Sequence, residues 1–196
     1  MHKEIVLATG NKHKVEEYRK MLAPLGYVIY STKDLNIDVD PEETGNTYKE
    51  NAYIKAKSLR KLVKWPVIAD DSGIEIEALD NFPGIHSSRF AESFGNDYKK
   101  TAEAVLEKLK DKTNRKASFH CCICLLEEEN SKPLYFEGIC PGEILEEIKG
   151  TNGFGYDPIF HSYENNLDFG TCSSEEKNEV SHRKKAIVKL ATYLSI

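Results

Sequence analysis

Apolar positions along the chain switch between a strand-like and a helical spacing. Ile5-Val6-Leu7-Ala8 is a short continuous apolar run, the pattern of a buried strand. From Asn11 to Ala23 the apolar residues Val15, Tyr18, Met21 and Leu22 share one helical face, and Pro24 with Gly26 predicts the helix end. Tyr27-Val28-Ile29-Tyr30 reads as a second strand. Thr47 to Val63 places Tyr48, Ala52, Ala56, Leu59 and Val63 along one stripe, the signature of a longer amphipathic helix. Val67-Ile68-Ala69 reads as a third strand that ends at the acidic pair Asp70-Asp71, with Gly73 turning the backbone before the alternating Ile74-Glu75-Ile76. Tyr98 to Lys110 repeats the helical pattern through Ala102, Val105, Leu106 and Leu109. Ala117 to Leu125 alternates at every second position, a strand, and Leu134-Tyr135-Phe136 pairs with it through a polar turn near Asn130-Ser131. Ser181 caps a last helix that buries Ile187, Leu190, Ala191 and Leu194. This order of elements predicts an α/β fold with a mixed sheet.

Composition narrows the class. No repeat, low-complexity stretch or linker divides the 196 residues, so a single domain over 1–196 is expected. The net charge of −5 gives no global basic field for nucleic acid. Cys121, Cys122 and Cys124 lie in one apolar run and read as small buried strand residues in a reducing compartment rather than as a zinc site. Met1-His2-Lys3-Glu4 leads straight into the first strand rather than forming a signal peptide, and the apolar runs are too short to span a bilayer. A cytoplasmic protein with no membrane contact is expected.

Five segments carry candidate chemistry. Two adjacent acids followed by Ser72 and Gly73 suit a hard cation beside a phosphate, because magnesium takes one or two carboxylates and completes its shell with phosphate oxygens and water. Thr9-Gly10-Asn11-Lys12-His13-Lys14 joins a strand to a helix N-terminus, where free N–H groups and Lys14 favour an anion, though the spacing is not that of a Walker loop. Glu42-Glu43-Thr44-Gly45 offers a second carboxylate to the metal if the fold brings it near Asp71. Gly150 to Pro158 holds three glycines in six residues around Phe154 and Tyr156, candidate stacking faces for a base, with Asp157 as a candidate acceptor from a base N–H. Glu175 to Lys184 supplies Lys177 and Arg183 as obligate donors, with Ser181 and His182 able to donate.

In combination the chain resembles the inosine/xanthosine triphosphate pyrophosphatase family. The resemblance rests on Leu7-Ala8-Thr9-Gly10-Asn11 with Lys14, Glu42-Glu43-Thr44-Gly45 and Ala69-Asp70-Asp71-Ser72-Gly73. It continues through Phe82-Pro83-Gly84-Ile85 with Ser88-Arg89, Gly153 to Pro158, and Glu176-Lys177 with Ser181-His182-Arg183. The resemblance implies an elongated mixed sheet with flanking helices and two lobes around a central cleft, in a homodimer. It implies Mg²⁺-dependent hydrolysis of nucleoside triphosphates such as ITP, dITP and XTP to the monophosphate and pyrophosphate, in cleansing of the nucleotide pool. By position it implies Asp71 as catalytic and metal residue, with Glu42 as a second metal group. Thr9, Gly10, Asn11, Lys12, His13, Lys14 and Ser72 are then substrate contacts, and Phe154, Gly155, Tyr156, Asp157, Lys177, His182 and Arg183 line the base pocket. The competing expectation is a Maf-like pyrophosphatase acting on dTTP, UTP or modified pyrimidines.

Overall fold

Parallel pairing at the start of the chain organises the sheet. In the computed structural model, which describes residues 3–196, the strand β1 (Glu4–Leu7) pairs in parallel with β2 (Val28–Ser31) and with β3 (Val67–Ile76), Leu7 lying opposite Ile68. Met1 and His2, which open the segment read as leading into β1, lie outside the described residues. The helices α1 (Lys12–Leu22) and α2 (Tyr48–Arg60) are the crossovers that parallel pairing requires. After β3 come β4 (Phe82–Pro83), α3 (Ser87–Glu92) and α4 (Tyr98–Lys108). Two long strands, β5 (Lys116–Leu126) and β6 (Leu134–Ile144), precede β7 (Phe160–Ser162) and β8 (Leu167–Asp168). The helices α5 (Ser174–Val180) and α6 (His182–Leu194) close the chain. The sheet order is β2-β1-β3-β5-β6-β7-β8 with β4 on β3, and β3/β4, β6/β7 and β7/β8 are antiparallel. The expected mixed α/β sheet is therefore present.

The chain divides into two compact units. The first holds residues up to Asp71, Cys121–Glu137 and Lys185–Ile196. Its sheet carries a core on each face. Ile5, Leu7, Ile68, Cys121 and Ile123 pack against Val15, Tyr18 and Leu22 of α1 and Ile187, Leu190 and Leu194 of α6. Val6, Val67, Ala69 and Cys124 pack against Ala52, Ala56 and Leu59 of α2. Strand alternation thus sends Cys121 and Cys124 to opposite faces, so their spacing cannot make one chelating pair. All five cysteines are free and buried, and burial pushes the thiols of Cys122 and Cys124 up to about 12.

The clasp of β2 onto α1 carries a pH dependence. Asp34 accepts from the Ser31 N–H (2.6 Å), the Ser31 hydroxyl (2.7 Å) and Arg19 Nη2 (2.6 Å), and Arg19 also donates to Ile29 O. The Ser31 N–H is the main cause that lowers the Asp34 pKa below 3.8, joined by the Ser31 hydroxyl and Arg19. A depressed carboxylate contributes stability above its unfolded pKa and loses it as pH falls through the folded one. Between about pH 5 and pH 3 the urea midpoint of the wild type is expected to fall more steeply than that of Asp34→Asn. Equal slopes would contradict this assignment.

The second unit holds Ser72–His120 and Gly138–Lys184. Its core joins Ile74, Ile76, Ala102, Val105, Phe119, Phe160, Phe169 and Tyr156. Here the sequence reading of β3 needs correction. The strand does not end at the acidic pair; it runs through Gly73 to Ile76, ten residues in all from Val67. Gly73 is needed for close approach rather than for a turn. A Cβ at this position would lie 2.1 Å from Gly84 O and 2.7 Å from Ser87 Oγ. Ser87 Oγ accepts from the Ile74 N–H (2.9 Å) and donates to Gly84 O (2.6 Å), so the segment before α3 docks directly on the strand. Gly73→Ala is expected to cost about 2–3 kcal/mol, because the clash is with backbone that cannot step aside. Its chemical-denaturation midpoint measures this, and a loss under about 0.5 kcal/mol would contradict the docking. The charged run Glu175 to Lys184 spans the end of α5 and the start of α6, separated at Ser181, whose ψ of 147° is extended and which caps the last helix as expected.

Candidate active site

Two constellations of charge form, one in each unit. In the first, the parallel register of β1 and β3 sets the geometry. Leu7 opposite Ile68 leaves Thr9 to Asn11 just beyond the carboxyl end of β1, where ligands gather in parallel sheets. Thr9 Oγ1 accepts from the Asn11 N–H (3.2 Å), and the Asn11 side chain caps α1 by accepting from the Lys14 N–H. Lys12 and His13 are exposed on the first turn, and Lys14 points inward.

Adjacent strand residues face opposite ways, and the two acids follow that rule. Asp70 lies on the α1 face, where Lys14 Nζ donates to its Oδ1 (3.0 Å) and the Cys121 thiol approaches its Oδ2 (3.8 Å). Asp71 lies on the α2 face, where Lys55 Nζ donates to its Oδ1 (3.0 Å) and also pairs with Glu43 Oε1 (3.2 Å). The two carboxylates are therefore not a joint chelate. Each has its own lysine, from a different helix.

Glu43 reaches this position because the segment before α2 is tied down. The Gly45 N–H donates to Asn51 Oδ1 (2.8 Å), the Asn46 N–H to Glu50 Oε2 (2.6 Å), and Thr47 caps the helix. A Cβ on Gly45 would sit 2.6 Å from the Glu50 Cβ, so the glycine permits the tight entry. Glu42, the residue read as second metal group, is exposed, and it is Glu43 that meets Lys55 and, through it, Asp71.

Electrostatics in this cluster are finely opposed. Burial raises the Asp71 pKa, with Glu43 adding to the rise and Lys55 opposing it. For Lys55, burial disfavours the charge, but Asp71, Asp70 and Glu43 outweigh it and push its pKa up. Asp71 Oδ2 is buried and has no hydrogen-bond partner. A buried carboxylate oxygen left unpaired is costly unless a ligand satisfies it. Among the described residues no three His, Cys, Asp or Glu side chains form a ready-made metal cage. The donor set nonetheless fits magnesium, which commonly takes one or two protein carboxylates and draws its other ligands from phosphate and water. Asp71 Oδ2 and Glu43 are the groups that would hold it.

In the second unit the glycine loop is shaped around Asp157. Gly153 and Gly155 have φ of +74° and +63°, which only glycine adopts readily. A Cβ on Gly153 would meet Asp157 Oδ2 at 2.1 Å. That oxygen accepts from the Phe154 N–H (2.8 Å) and from Lys177 Nζ (2.5 Å). Asp157 thus spends Oδ2 on the pocket's own frame. Lys177 Nζ lies 4.5 Å from the Phe154 ring centroid and Arg183 Cζ 5.8 Å, so both cations meet one aromatic face region. The extended Ser181 makes this convergence possible: Lys177 leaves α5 and Arg183 enters α6 on either side of the break, and Ser181 Oγ caps α6 through the Lys184 N–H (3.1 Å). Arg183 Nη2 also donates to Ser72 Oγ (3.3 Å). The His182 ring stacks on Phe119 at 4.9 Å and 12°. Tyr156, read as a stacking face, is buried in the unit's core with its hydroxyl donating to Ser87 O (2.7 Å), so it braces the loop.

Sequence reasoning missed Lys55 and preferred Glu42 to Glu43. A signal for Lys55 was available. It sits at the edge of the buried Ala52-Ala56-Leu59 stripe, where a lysine needs a partner.

This pairing of a carboxylate–lysine cluster with a cation–aromatic pocket can be compared with known proteins. The model of the Ham1 family matches residues 5–193. The chain belongs to the Ham1 family. A dITP/XTP pyrophosphatase of Leptospira interrogans is 46% identical, with 99% of this chain and 98% of that protein covered. One of the same name from Halalkalibacterium halodurans is 43% identical, covering 98% and 99%. Among solved structures, a HAM1 protein from Coxiella burnetii aligns with a TM-score of 0.89 at 42% identity, covering 98% of each chain. The Ham1 protein of Staphylococcus aureus aligns at 0.88 and 37%, covering 97% of each. The family match thus runs through both units of this Ham1 chain and includes every site residue described above. Among its described residues no helix is long and apolar enough to cross a membrane.

Proposed function

We propose that this chain is a nucleoside triphosphate pyrophosphatase that hydrolyses the non-canonical purine nucleotides ITP, dITP and XTP to the monophosphate and pyrophosphate. The names borne by its relatives support this reading. The observation that carries it is the division of labour across one peptide bond. Asp71 ends the carboxylate–lysine cluster, and Ser72, its neighbour, accepts from Arg183 of the aromatic pocket.

Phosphoryl chemistry asks for positioning and charge neutralisation more than for covalent help. The N-terminus of α1 and the Lys14 ammonium take the triphosphate. A bound Mg²⁺ supplies charge neutralisation at the phosphate oxygens. Asp71 orients the attacking water beside the cation that its Oδ2, the oxygen Lys55 leaves open, would hold. At the base, Arg183 and Lys177 offer only donors. The 6-oxygen of hypoxanthine or xanthine satisfies them, whereas the amino group of adenine opposes donor to donor. These donors, with the relatives' names, favour purines over the pyrimidine alternative.

The enzyme acts as a cytoplasmic homodimer in cleansing the nucleotide pool. The test is pyrophosphate release over eight nucleotides, with and without Mg²⁺. Turnover of ITP, dITP and XTP at about 100-fold or more above ATP is expected, with pyrophosphate rather than phosphate as product. Equal rates with ATP would refute the base pocket, and absence of pyrophosphate would refute the reaction.

A further inference from the structure

We propose that the Lys55 ammonium is a built-in stand-in for the metal, which holds the carboxylate pair closed to a lone divalent cation until a triphosphate draws the ammonium away. This rests on the reading that Asp71 and Glu43 hold a divalent cation. The geometry is that of a cation site already filled. One Nζ lies 3.0 Å from Asp71 Oδ1 and 3.2 Å from Glu43 Oε1, and both Lys55 and Asp71 are largely buried. A divalent ion entering alone would have to share these carboxylates with the positive charge already seated between them. A triphosphate changes that balance. Its oxygens accept the ammonium, the carboxylates pass to the metal, and every charge remains paired through the exchange. Lysine suits the task because its charge sits at the tip of a flexible four-carbon stem, whereas a guanidinium would grip both carboxylates as a rigid fork.

The consequence is that metal and nucleotide affinities respond to Lys55 in opposite directions. In Lys55→Gln the ligand-free protein is expected to bind Mn²⁺, followed by electron paramagnetic resonance, about tenfold more tightly than wild type. The same variant is expected to bind the metal-free α,β-imido analogue of ITP about tenfold more weakly, by calorimetry. A merely structural lysine would weaken both. Lys57→Gln removes an equal charge from the exposed side of the same helix, where the ammonium lies over the Tyr53 ring, and is expected to move neither. Lys55→Arg keeps the charge and the fold, and is expected to bind Mn²⁺ at least threefold more weakly than wild type. That variant carries the test if the glutamine variant does not fold. Unchanged or weaker Mn²⁺ binding in Lys55→Gln, or unchanged or tighter binding in Lys55→Arg, would overturn the proposal. If Mn²⁺ binds none of these proteins, with the analogue or without it, the metal reading itself has failed.

Discussion

Asp71→Asn is expected to lower the turnover of ITP by about 10³-fold or more while changing nucleotide affinity only a fewfold. Asparagine is isosteric and keeps an oxygen for Lys55, so the cluster retains its shape. What disappears is the negative charge on Oδ2, the one oxygen of the pair of acids that is buried without a partner. The neighbouring Asp70→Asn provides the contrast. Its oxygens already serve Lys14 and Cys121 on the opposite face of β3, so its loss is expected to act mainly through phosphate binding and to cost less in turnover. Steady-state kinetics of both variants, with melting temperatures to confirm folding, separates the roles. Near-normal turnover in Asp71→Asn would remove it from the chemistry, and equal losses in the two would mean that the opposite facing of the acids has no functional weight.

Arg183→Gln is expected to narrow the preference for ITP over ATP by about 10²-fold. Lys177 is committed to Asp157 at 2.5 Å and lies over the Phe154 ring, which leaves Arg183 as the donor best placed to judge the 6-position. Arginine can only donate; an amide can turn its oxygen toward an amino group. The loss is expected chiefly in kcat/KM for ITP, with ATP unchanged or improved. Loss of Ser72 as a partner adds a common factor to both substrates and cancels in the ratio. An unchanged ratio, with both activities falling together, would assign Arg183 to structure rather than to selection.

Much of the fold was legible because long amphipathic patterns dominate it. The stripes of α1, α2 and α6 and the alternation of β5 each bury a face that only one period can bury, so their type and place follow from spacing alone. Short elements carry no such signal. The two-residue strands β4 and β8, the three-residue β7 and the six-residue α3 are defined by what they dock on. Gly73 shows the limit most clearly. Glycine after two acids and a serine looks like a turn locally, and only the approach of Gly84 O from eleven residues onward reveals an uninterrupted strand. That continuity in turn decides the chemistry, since it sends Asp70 and Asp71 to opposite faces. The choice between Glu42 and Glu43 depends on how Asn51 anchors Gly45, a contact that no local pattern announces.

A crystal structure of the protein with Mg²⁺ and the α,β-imido analogue of ITP tests the central claim most directly. The expected result is a nucleotide whose α–β bridge lies within reach of Asp71. An α–β bridge remote from Asp71 would contradict it.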